Sequence, residues 1–114
     1  MESILTSIKK LLGITEDYTH FDTDIIIHIN TTFLTLAQLG IGPKTGFAIK
    51  DKSTKWIDFL STDSPLYNAV TTYMYLKVRL LFDPPQSTAV IESINRTIAE
   101  LEERLRLQAE VDHE

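Results

Sequence analysis

Three histidines, sixteen carboxylate side chains and no cysteine bound the chemistry this chain can attempt. Without cysteine there is no disulfide, no thiolate zinc site and no thiol nucleophile. His20, His28 and His113 are the histidines. Asp24 and His28 stand four residues apart and share a helical face, which offers two metal ligands. A zinc site needs three or four, so the pair reads as part of a solvated stripe. No Ser–His–acid order, phosphate-cradling glycine loop or paired-histidine motif occurs. Gly40 and Gly42 end a helix rather than open one. The carboxylates gather on the last helix, where Glu92–Arg96, Glu100–Arg104 and Glu102–Arg106 are Glu-first pairs four apart, each contributing ~0.3–0.5 kcal/mol. That pattern stabilises a helix in water and is not a catalytic dyad. An enzyme is not expected, nor a cofactor or a metal.

Lys44, Lys50, Lys52 and Lys55 make the one basic cluster. A nucleic-acid contact is one reading of it. No arginine fork accompanies the lysines, and the chain carries a net charge of −5, so a solvated loop is the preferred reading.

The elements that must position these residues read as one all-α domain over 1–114. Its 43% hydrophobic content is enough for a real core. The organising stretch is Ser64 to Gln108, an αα-hairpin. Its first helix opens with Ser64 as N-cap and Pro65 at the first helical position. Pro84 and Pro85 then break the chain, and Asp83 before a proline is pushed out of the α region. The second helix, roughly Ser87 to Gln108, carries Ile91, Ile94, Ile98, Leu101 and Leu105 as one apolar seam. Two N-terminal helices pack on this hairpin, one over Glu2–Leu12 and one with Asp22 as N-cap running to Leu39. A strand at Ile25–Ile29 competes with the second, but the helical period persists for about four turns. An irregular stretch, Lys44 to Asp63, holds a short extended segment at Phe47–Ile49 and a short helix capped by Ser53 or Thr54. Trp56 is expected to anchor that stretch onto the hairpin. Ala109–Glu114 reads as a frayed, flexible tail. The start of the chain, with Glu2 ahead of its apolar residues, is not a signal peptide. Ile25 to Pro43 lacks any charged residue, yet Asp24, His28, Thr31, Thr35 and Gln38 oppose Ile26, Ile29, Phe33 and Leu36. That makes an amphipathic helix and not a membrane span.

Two polar residues break the pattern. Asn30 falls among Ile26, Phe33 and Ala37, and Lys77 among Leu66, Val70, Tyr73 and Leu80. A buried amide needs partners and a buried ammonium is costly unless paired. Asn30 is expected to bond a loop carbonyl. For Lys77, snorkelling to the edge and meeting a polar group of another subunit stand level. Leu107 lies off the seam of the last helix. With Glu103 and Arg104 on the charged C-terminal helix, these residues are candidate subunit or partner contacts.

These strings together resemble the small α-helical head–tail connector (adaptor, or head-completion) proteins of tailed bacteriophages and prophages. The resemblance lies in the first helix ending LLGI, in DTDIIIHINTTFLTLAQLGIGP, and in YMYLKVRLLFDPP followed by STAVIESINRTIAELEERL. It implies a structural virion protein that forms a ring of about 12–13 subunits beneath the portal protein. Such a ring offers a platform for the next head-completion or tail protein, and DNA passes through its lumen without sequence-specific binding. It also implies assembly in the bacterial host cytoplasm, a place at the head–tail junction, and no membrane, cofactor or catalytic residue. The residues alone leave two other readings open: a small intracellular interaction or DNA-binding regulatory module, and a coiled-coil dimer on a seam only about two heptads long.

Overall fold

The computed structural model describes residues 2–112. It contains α1 (Ile4–Leu11), α2 (Asp22–Gln38), α3 (Trp56–Phe59), α4 (Tyr67–Phe82) and α5 (Thr88–Asp112). Among the described residues the only β pairing is a single antiparallel bridge, Ser3 to Lys55. The all-α hairpin architecture expected from the sequence is therefore the observed one.

α4 is the central element. It packs along α2 on one side and α5 on the other, while α1 lies across α2 and α4. The Asp83–Ser87 hinge turns the chain so that α5 runs back along α4, and Tyr73 meets Glu102 midway. The C-terminal end of α5 reaches the end of α2, where Gly40 faces Ala109. The core joins Ile4 and Ile8 of α1, Ile25, Ile29, Phe33 and Leu36 of α2, Val70, Tyr73, Met74 and Val78 of α4, and Ile98 and Leu105 of α5.

Several local details differ from the expectations. α1 starts at Ile4 and not Glu2, because the Ser3 hydroxyl accepts the Thr6 N–H and sets the boundary. Asp22 is the first residue of α2 rather than its cap, since its carboxylate pairs with Lys9. Ser64 does accept the Leu66 N–H, but α-helical bonding begins only at Tyr67 after a tight turn. Lys55, not Ser53 or Thr54, precedes the short helix, and the Asp58 carboxylate accepts its N–H. The tail expected to fray from Ala109 is helical to Asp112, and Ala109 is buried against the glycine turn. His113 and Glu114 lie outside the described residues.

Gly42 has a positive φ of 90°, and a Cβ there would run into the Phe59 ring. Only glycine meets both demands. The break after α2 therefore also seats the middle segment on the core.

Candidate functional site

No three His, Asp or Glu side chains converge to hold a metal among the described residues. His28 is half-buried beside an exposed Asp24, with no third ligand in reach. The polar side chains that do converge bind the protein's own backbone.

Lys9 is the strongest case and the one that sequence reasoning missed. It is 2% exposed, and its Nζ donates to the Glu16 and Tyr18 carbonyls at 3.1 and 2.8 Å. It also pairs with Asp22 at 2.8 Å. An ammonium can be buried only when its donors are used in this way. The available signal was its register, four residues after Leu5 and three before Leu12, which puts it on the apolar face of α1. Asn30 behaves as expected toward the loop. Its amide donates to the Ile49 carbonyl at 3.0 Å and accepts the Ile49 N–H at 2.8 Å. That pair of hydrogen bonds imitates one rung of a ladder and holds the middle segment on α2. Trp56 is buried and donates to the Ser7 hydroxyl at 2.7 Å, so it anchors the segment on α1 as well as on Tyr67 at the start of the hairpin.

The other sequence-derived candidates stay apart. Lys77 is half-buried, with its Nζ 6.0 Å from the Tyr73 ring centre, at the limit of a cation–π contact. Glu103, Arg104 and Leu107 are exposed on the outer side of α5. The three pairs expected along α5 do not form. Arg106 instead clasps Glu103 at 2.6 Å and Glu110 at 3.0 Å, and this holds the Glu103 carboxyl below its ordinary range. Glu102 is taken by Tyr73, whose hydroxyl donates to it at 2.7 Å. Burial foremost, then that bond, pushes the Tyr73 phenol up. The four lysines of the middle segment are exposed, and Lys52 comes only to 4.0 Å from Glu16.

Exposed apolar residues and rings form surfaces of two kinds among the described residues. The outer face of α2 exposes Ile27 and Leu34, seven residues apart in a stretch with no charge, while the outer face of α5 exposes Leu107 and Val111. At the hinge end, Tyr18, His20, Phe21 and Phe82 form a row of rings with neighbouring centroids 4.9–6.1 Å apart. Beside it opens a cleft of about 360 Å³ lined by Leu12, Ile14, Phe21, Phe82 and Asp83. Among the described residues no helix is long and apolar enough to cross a membrane.

A family model described as phage connector protein matches residues 4–112, which takes in all five helices and the hinge. No curated protein and no solved structure is significantly similar to the chain. The chain belongs to the phage connector protein family, a family of structural rather than enzymatic proteins.

Proposed function

We propose that this protein is a head–tail connector subunit that closes into a ring beneath the portal, joins head to tail and lets DNA pass. The match to the connector family over nearly the whole chain carries the reading. The arrangement of the helices supports ring closure. α2 and α5 both pack on α4, and each exposes apolar residues of its own, Ile27 and Leu34 on α2 and Leu107 and Val111 on α5. Ring closure needs such a heterologous contact, one patch meeting a different patch. Glu103 and Arg104 on the outer side of α5, and half-buried Lys77 on α4, serve as further contacts between subunits or with the portal and the next head-completion or tail protein. Asn30 would contribute indirectly, by fixing the middle segment. The net charge of −5 suits a lumen through which DNA slides, because an acidic wall offers phosphates no grip. Assembly takes place in the host cytoplasm, ahead of incorporation at the head–tail junction.

The test is mass by light scattering across a concentration series, with negative-stain imaging of the highest fraction. Rings of about 12–13 subunits with a central hole are expected. A strict dimer at every concentration would replace this reading with the coiled-coil module. A monomer that also fails to bind purified portal would reject it.

A further inference from the structure

The hinge-end cleft is an open apolar recess among the described residues. Its walls are Leu12 and Ile14 from the α1–α2 connection, Phe21 before α2, and Phe82 with Asp83 at the hinge. Tyr18 and Phe21 leave 49% and 36% of their surface in water, and Leu81, next to Phe82, leaves 52%. The first buried residue of α5 is Ile98, well beyond the hinge, and no residue of α5 lines the recess.

Asp83 is the charged residue of its wall, and the stretches of chain that supply the walls are acidic. Residues 13–24 contain Glu16, Asp17, Asp22 and Asp24 and no lysine or arginine; residues 80–87 add Asp83 and again no cation. Lys9 neutralises Asp22 alone, and Lys52 only approaches Glu16. Arg79, one turn before Asp83, donates to the Tyr75 hydroxyl and feels the Asp83 carboxylate without forming an ion pair with it. Asp17, Asp24 and Asp83 enter no ion pair among the described residues.

The walls are also fixed in advance. Lys9 holds the connection by the Glu16 and Tyr18 carbonyls, and Pro84 with Pro85 restricts the hinge. A preformed recess spares the ordering cost of binding.

We propose that this cleft is a docking socket for a segment of a partner protein in which a bulky apolar side chain is flanked by lysine or arginine. The apolar group fills the recess between Ile14 and Phe82, and the flanking cations meet Asp83, Asp17 and Asp24. A second copy of this chain is the poorer occupant. In its own basic segment, 44–55, Ile49 is buried and Phe47 packs on Phe33 and Phe59, and the exposed Ile57 that follows has Asp58 beside it. That the partner is a neighbouring phage protein rests on the connector reading; the socket itself does not.

The experiment uses the full isotope-labelled chain and three short synthetic peptides: a Leu-Phe pair flanked by lysines, the same pair flanked by glutamates, and a lysine-flanked Gly-Ser pair. The lysine-flanked Leu-Phe peptide is expected to shift backbone amide resonances of residues 11–24 and 80–86, and to bind several-fold more weakly as salt rises from about 50 to 200 mM. Tyr18→Ser combined with Asp83→Asn, both at exposed positions, should weaken binding at least about tenfold, the loss of roughly 1.4 kcal/mol, while the melting temperature stays put. Equal binding of the glutamate-flanked peptide, shifts centred on residues 44–55, or no shift with any peptide would overturn the proposal. So would concentration-dependent shifts at the hinge end in the chain alone, which would make a second copy the occupant. Rings that form while all peptides fail to bind would remove the socket only; peptide binding by a chain that never forms rings would remove the ring only.

Discussion

Two aromatic clusters in this subunit have opposite fates. Phe33, Phe47 and Phe59 pack with ring centroids 4.7–5.0 Å apart, and Trp56 joins them at 6.4 Å from Phe33. Tyr18, His20, Phe21 and Phe82 reach similar spacings at the hinge end. The first cluster is closed. The chain returns over it, with the Asn30 amide holding Ile49 and Phe59 lying against Gly42. The second stays open: Lys9 holds the backbone of its connection beside the rings, and among the described residues a cleft is left open there. Aromatic content therefore does not decide what becomes core. What decides is whether a polar side chain on a helix can capture the backbone of a covering segment and meet its hydrogen-bond needs.

Removing the centre of the closed cluster should produce the largest effect. Trp56→Ala deletes a buried indole and the bond to Ser7, and is expected to cost about 3–5 kcal/mol in chemical denaturation. Since a domain of this size is stable by roughly 5–15 kcal/mol, the variant should be close to unfolding at room temperature. A loss below about 1 kcal/mol would mean that the two clusters are alike in energy as well as composition.

The two backbone clamps come next. Lys9→Met leaves Asp22 without its cation and two carbonyls without a donor, and is expected to cost about 3 kcal/mol. Asn30→Ala leaves the N–H and carbonyl of Ile49, itself 2% exposed, unpaired, at about 2 kcal/mol. Hydrogen exchange should separate them. Asn30→Ala should quicken exchange around Ile49 and leave the hinge end alone, whereas Lys9→Met should quicken residues 14–22. Exchange that rises equally in both regions in either variant would show one cooperative unit where the structure shows two.

How much of this was legible in the sequence follows from which interactions are local. The hairpin and its hinge were readable because proline acts on its own neighbours, and the seam from Ile91 to Leu105 because period is a local property. Asn30 was readable as an anomaly on an apolar face, although Ile49 could not be named as its partner. Lys9 was not, because its burial depends on where the connection places the carbonyls of Glu16 and Tyr18. The expected pairs on α5 failed for a related reason. Spacing allowed Glu102 to meet Arg106, but a buried phenol on another helix held Glu102 more strongly. The frayed tail was misjudged because Gly40 admits Ala109, a contact between distant parts of the chain. The open cleft was invisible for the same reason: Phe21 and Phe82 are neighbours only in the folded chain.

The smallest expected effect at neutral pH tests the bond that fastens the hairpin. Tyr73 is buried and donates to Glu102, and burial first, then that bond, raises its pKa above the ordinary value near 10. Below pH about 10 both the folded and the unfolded chain keep the proton, so its contribution is complete. Above that, the unfolded chain ionises while the folded one must hold the proton, and stability falls until the folded value is passed. Tyr73→Phe should cost only about 1 kcal/mol at pH 7, because half-buried Glu102 can turn to water. The variant should then lose less stability than the parent between pH 9 and 11, so that the two curves approach each other. Parallel curves through that range would mean the phenol ionises as readily folded as unfolded. Its bond to Glu102 would then not be what keeps α5 in register with α4, and the apolar seam alone would have to hold the two helices together.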